Sequence, residues 1–177
     1  MNFYQRTNLS MGLAVIFGLE LAIADWMRGP GISGPALQAF FWIAFQFMFR
    51  IKLTLDDHWH FGASGPPLSD RQLFTDHILS SVSALFFALA AIFSFRFGPS
   101  LLFFCSGLAT ATIWILVRAG TQARNLAWLR FNLGYGGLAA LAYLLPGGLG
   151  VIVLLGAMAL LLRDLIVSET PDRMPAR

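Results

Sequence analysis

Six stretches of the chain read as continuous apolar runs: residues 9–26, 35–51, 73–97, 100–117, 126–145 and 148–162. Each is long enough, or nearly so, to cross a hydrocarbon core of about 30 Å as a helix rising 1.5 Å per residue. The runs do not alternate apolar and polar residues, which argues against the strands of a membrane barrel. The pattern predicts an all-α polytopic membrane protein, with six transmembrane helices in one domain over residues 1–177 and a short polar tail over 168–177. The sixth run is the shortest, and Arg163 beside it can snorkel to the interface.

The connections sort the runs into three helical hairpins. Three turns are tight and rich in Gly and Pro: Gly29-Pro30-Gly31 through Pro35, Gly98-Pro99, and Pro146-Gly147-Gly148. The second run of each hairpin ends on an arginine, at Phe49-Arg50, Val117-Arg118 and Leu162-Arg163. Any tightly turned six-helix chain with cations on one side looks like this, and the side chains show no inverted repeat of the transporter kind. Small residues spaced by four let helices approach closely in a bilayer, at Ala14-Gly18-Ala22, Ala84-Ala88, Gly107-Ala111 and Gly136-Ala140. The start of the chain also has the outline of a cleavable signal peptide, with Arg6, an apolar stretch, and Ala22-Ile23-Ala24 before Asp25. The apolar residues beyond Glu20 and the second run close behind favour a retained first helix.

Charge orients the bundle. Of the twelve Lys and Arg residues, ten fall in the termini and in the second and fourth connections; only Arg28 and Arg96 fall in the opposite set. Short loops rich in Lys and Arg stay on the cytoplasmic side, so both termini are expected there. Composition agrees: 57% of residues are hydrophobic and 12% charged, with a mean hydropathy of +0.69. The net charge of +3 is spread among connections rather than gathered on one face, so nucleic-acid binding is not indicated. The lone Cys105 excludes an intramolecular disulfide. Arg outnumbers Lys eleven to one, which suits a GC-rich bacterium and hence a multi-pass protein of an inner membrane.

Two groups of residues draw attention as candidate chemistry. The second connection holds Asp56, Asp57, His58, His60, Asp70, Asp76 and His77, including all three histidines of the chain. If this segment is extended, His58 and His60 point the same way, and with a carboxylate they form a first shell suited to zinc or non-haem iron. The plainer expectation is a solvated cluster in which the acids offset Arg50, Lys52 and Arg71. The sequence requires no cofactor, and a divalent metal is the one it would accommodate.

The second group lies within the runs. Glu20 is the only acid well inside one, about 10 Å from the outer end of the first helix. Such a residue faces a bundle interior, a cavity or a partner. It stands two residues from Gly18, a rotation of about 200°, so it points away from the Ala14-Gly18-Ala22 stripe. It can carry protons or pair with Arg96. Gln38 and Gln46, together with Glu20, either line a polar path or hydrogen-bond across helices.

Three functions follow from these features. The first is a small transporter or channel for an ion, proton or small solute, oligomeric in the bilayer. The second is a non-catalytic accessory subunit that binds other membrane subunits. The third is a metal-dependent enzyme acting on lipid headgroups at the cytoplasmic face; its weakness is that no nucleophile or phosphate-binding motif accompanies the histidines.

Overall fold

A computed structural model describes residues 3–29, 33–61, 69–119, 123–145 and 147–168. They form six helices: α1 (Phe3–Met27), α2 (Gly34–Phe61), α3 (Asp70–Ile92), α4 (Phe97–Ala119), α5 (Ala123–Leu144) and α6 (Gly148–Ser168). By length and composition, α2, α3, α4 and α6 are each apolar enough to cross a membrane. Large apolar side chains such as Phe17, Leu102, Ile152 and Ile166 lie exposed on the outside of the bundle. An apolar exterior of this extent belongs to a membrane protein.

Several helix ends differ from the apolar runs. Helix α2 continues ten residues past 51, to Phe61, and α6 continues past 162 to Ser168. Charged residues stop an apolar run but not a helix, whose backbone bonds are satisfied within itself. The second bend, expected at Gly98-Pro99, lies instead at residues 93–96, where the amide of Arg96 donates to the carbonyl of Phe93 at 2.7 Å. Pro99 falls in the first turn of α4, where its missing N–H has no helical partner to lose.

Consecutive helices pack as the hairpins α1–α2, α3–α4 and α5–α6. Contacts of α2 with α6, α1 with α3 and α4 with α5 close a circuit in the order α1, α2, α6, α5, α4, α3. The inside of the circuit is filled, chiefly by α2. Trp42, Phe45 and Phe49 lie three and four residues apart on one face and are fully buried or nearly so. Around Phe49 stand the rings of Phe104 at 5.1 Å, Phe87 at 5.4 Å and Tyr135 at 5.5 Å, tilted or edge-on. These geometries suit the aromatic quadrupole and add to the burial itself.

Polar bonds tie the helices together at the α1–α2 end. The indole N–H of Trp26 donates to the carbonyl of Ala36 at 2.8 Å, across the first hairpin bend. Trp42 Nε1 donates to Ser100 Oγ at 2.8 Å, and that hydroxyl donates in turn to the carbonyl of Ala90 at 2.6 Å. Gln46 Nε2 reaches Ser94 Oγ at 3.4 Å. Gln38 Nε2 donates to the carbonyls of Ala142, at 2.6 Å, and Leu145, at 3.3 Å. Those two carbonyls belong to the end of α5 and lack a helical donor, so Gln38 caps that helix from a neighbouring one.

Candidate functional site

The buried stripes of α2 and α6 run in step. On α2, Trp42, Phe45 and Phe49 are followed at the same spacing by Lys52; on α6, Leu154, Ala157 and Leu161 are followed by Asp164. Both stripes therefore enter the interior as apolar side chains and finish on a charge. The two helices run parallel, since Gln38 meets Gly150 near one end and Lys52 meets Asp164 near the other. That shared direction brings the two charges to one level. At 1.5 Å per residue, Lys52 lies about 27 Å along α2 from Gly34 and Asp164 about 24 Å along α6 from Gly148.

Lys52 Nζ lies 2.8 Å from Asp164 Oδ2, with the two side chains 2% and 0% exposed. The same Oδ2 accepts the phenolic O–H of Tyr135 at 2.6 Å. On its other side the ammonium stands 4.9 Å from the ring centre of Trp128. Removing two ions from water costs several kcal/mol each, and the pair is stable only because attraction in the dry interior and added hydrogen bonds offset this. Here the phenol supplies the extra donor, and the indole face supplies cation–π attraction to the ammonium.

A second pair of buried charges lies in the same half of the bundle. Asp76 of α3 is buried, and its Oδ1 accepts the indole N–H of Trp114, on α4, at 3.0 Å. Arg50, also buried, borders a small void with Val15, Gln46, Phe49, Phe87 and Phe104. Among the described residues, Arg50, Lys52, Asp76 and Asp164 are the buried side chains that carry a full charge. Two are cations and two are acids, so the interior is formally neutral.

The residues singled out by sequence scatter. Asp56, Asp57, His58 and His60 lie in the final turns of α2, not in an extended loop. Positions 58 and 60 are therefore about 200° apart around a helix axis, which removes the geometric reason for pairing the two histidines. Their side chains lie outside the described residues. His77 is half-buried on α3, and among the described residues no three His, Cys, Asp or Glu side chains gather as a metal-binding group. Asp76 is held by Trp114 inside the bundle, and Arg50 and Lys52 are buried rather than solvated: positions 50 and 76 fall within the apolar runs, and α2 continues past its run to carry Lys52 along its buried face.

Glu20 is exposed on α1, while Ala22 is buried and a Cβ added at Gly18 would lie 3.8 Å from the Cβ of Ala91 on α3. Gly18 and Ala22 thus face the bundle and Glu20 faces outward. Arg96 is exposed in the α3–α4 bend, and among the described residues no ion pair joins it to Glu20. Gln38 and Gln46 are both engaged in bonds between helices.

Lys52, Asp164, Tyr135, Trp114 and Trp128 escaped the sequence reading. A signal was present for the first two. Apolar residues resume at Leu165-Ile166-Val167 after Arg163-Asp164, and the three-four spacing of each stripe leads straight onto the charge. Comparison of the chain with family models, with curated proteins and with solved structures gives no significant match.

Proposed function

We propose that the chain is a six-span protein of a bacterial inner membrane, with both termini cytoplasmic, and that it moves protons or a small solute coupled to them. The supporting observation is that α2 is fastened to the α5–α6 hairpin at two opposite ends by bonds of different chemistry. At one end the neutral Gln38 holds the carbonyls that close α5. At the other the ion pair of Lys52 and Asp164, with Tyr135, holds α2 to α6 and α5. Between them the aromatic plug of Trp42, Phe45 and Phe49 fills the interior.

Alternating access requires that the two ends of a seam open in turn. A proton taken up by Asp164 removes half of the ion pair and weakens the seam at that end alone, because the Gln38 bonds carry no charge. Lys52 then faces Trp128 and a neutral acid, and the gap beside it admits a solute or water. Departure of the proton restores the pair and shuts the gap. The excess of Lys and Arg in the termini and in the second and fourth connections supports an orientation with this end toward the cytoplasm.

The test is proton movement in sealed proteoliposomes that carry an internal pH dye, driven by a potassium gradient and valinomycin. Wild-type protein is expected to acidify the lumen, and Asp164→Asn and Lys52→Met, confirmed as folded by gel filtration, to lose at least about nine-tenths of that rate. Equal rates in wild type and both variants would falsify the assignment of this cluster to translocation.

A further inference from the structure

Helices α5 and α6 carry two arginines at one level on the outside of the bundle. The hairpin is antiparallel, and a Cβ added at Gly134 on α5 would lie 2.8 Å from Leu160 Cδ2 on α6, so these two positions face each other. Arg130 lies four residues from Gly134 and Arg163 three from Leu160, both toward the end that holds Lys52 and Asp164. Their backbones are therefore level to within about 1.5 Å. Each stands about 40–60° around its helix from the line of contact. Both are exposed, whereas Tyr135 and Asp164, on the inner side of the same contact, are fully buried. The arginines thus flank the outer groove between α5 and α6.

The same register continues along the groove. Gly137 stands seven residues from Arg130 and Gly156 seven from Arg163, both toward the hairpin bend. Seven residues are two turns less about 20°, so each glycine lies almost in line with its arginine, about 10 Å away. Both glycines are exposed, and a Cβ added to either would meet nothing within 4 Å. No ion pair joins either guanidinium to an acid among the described residues. The one acid in the sequence of α5 and α6 is Asp164, buried against Lys52.

We infer that this groove binds one anionic phospholipid, with its phosphate between Arg130 and Arg163 and an acyl chain over Gly137 and Gly156. Helices in contact lie about 8–10 Å apart, a span that two extended arginine side chains close from either side. A guanidinium fork matches phosphate oxygens two at a time. The charge decides the class of lipid. Two cations with no exposed acid beside them favour a head group that carries no cation of its own, such as phosphatidylglycerol, over phosphatidylcholine. From Leu144 and Gly148 at the bend, the arginines lie about 21 and 23 Å along their helices. In a core about 30 Å thick, guanidinium groups that snorkel from there meet the head groups of the far leaflet. Basic positions between helices on the cytoplasmic side hold anionic head groups in this way.

The inference rests on the six-span reading, in which α5 and α6 cross the bilayer, and not on proton movement. Purified protein is titrated in detergent with phosphatidylglycerol or phosphatidylcholine, and bound lipid is counted by native mass spectrometry. One phosphatidylglycerol per chain is expected to bind at least about tenfold more tightly than phosphatidylcholine. Arg130→Gln and Arg163→Gln are each expected to weaken it about fivefold. Gly156→Leu, which fills the groove and keeps both arginines, is expected to weaken it about threefold. Arg96→Gln, exposed in the α3–α4 bend, leaves it unchanged.

Equal affinity for the two lipids, indifference to both α5–α6 arginine variants or to Gly156→Leu, or an equal loss in Arg96→Gln would each overturn the site. So would displacement of the lipid by an equal concentration of inorganic phosphate, which needs no groove. In a Cys105→Ser background, maleimide labelling of Ala123→Cys and Leu144→Cys in vesicles separates the outcomes. If both label from one side, the six-span reading fails and takes the lipid site with it; if they label from opposite sides and phosphatidylglycerol is not selected, the lipid site alone fails.

Discussion

The side-chain amide of Gln38 occupies the space that a Cβ on Gly150 would need. An added methyl there would run into Gln38 Nε2, and would also lie 2.6 Å from the carbonyl oxygen of Leu145 and 2.9 Å from that of Ala142. Both oxygens are the acceptors of the Gln38 bonds. The glycine on α6 is thus what allows a residue of α2 to cap α5. Gly150→Ala is expected to cost about 1–3 kcal/mol, by strain and by loss of the two bonds. Thermal unfolding in detergent checks this. If the clash with the amide is the cause, Gln38→Ala recovers part of the loss in the double variant, whereas independent effects simply add.

Breaking the pair of Lys52 and Asp164 from one side leaves a buried charge with its main counter-charge gone. Lys52→Met and Asp164→Asn are each expected to destabilise the protein by about 3–5 kcal/mol. The double variant leaves neither ion buried and should be clearly more stable than either single one. Denaturation midpoints of the four proteins in one detergent decide it, and a double variant as weak as the sum of the singles would contradict the structure.

Tyr135→Phe removes one hydroxyl and leaves the ring, which packs on Phe45 and Phe49. The lost bond is made to a charged acceptor, so a cost of about 1.5–3 kcal/mol is expected. Proton movement in proteoliposomes should slow with it, whereas Tyr143→Phe, at an exposed position near the opposite end, should leave the rate unchanged.

Two glycines make a matched pair. A Cβ at Gly107 would come within 2.8–3.0 Å of three atoms of the Phe87 ring, where α3 and α4 cross and Ser83 donates to the Gly107 carbonyl at 3.1 Å. Gly107→Ala is expected to destabilise by about 1–3 kcal/mol. At Gly137, exposed on α5, an added Cβ meets nothing within 4 Å, so Gly137→Ala should be neutral or stabilise by up to about 1 kcal/mol. The two variants compared by thermal unfolding test the α3–α4 packing directly.

The all-helical fold and its hairpins were legible because apolar runs and Gly-Pro turns are local signals. Helical rotation also set Glu20 on the side of α1 away from Gly18, but not that this side is exposed, since a bundle interior, a cavity or a partner was expected there. The buried charges were not read correctly, and the reason is particular. Hydropathy averages over a window, so the second and sixth runs were closed at residues 51 and 162, just short of Lys52 and Asp164; Lys52 was read as part of a solvated cluster and Asp164 was not singled out. Periodicity carries on through them, because a helix positions a side chain by angle and not by polarity. The pairing of Lys52 with Asp164 needed one fact more, that α2 and α6 lie side by side and parallel, which no local pattern encodes. The histidines of the α2–α3 connection misled in the converse way: they were read as an extended loop, but the helix runs through them.

The parallel contact of α2 with α6 also bears on how the molecule is assembled. Helices enter a membrane in chain order, so Lys52 arrives with the first hairpin and Asp164 only with the last helix. Until α6 takes its place, Lys52 is a cation without its carboxylate, and the capping amide of Gln38 has no α5–α6 hairpin behind it. The last helix to be made therefore closes the circuit and neutralises the interior in one event. A chain that stops before that point holds Lys52 without Asp164, so the interior becomes formally neutral only with the last helix.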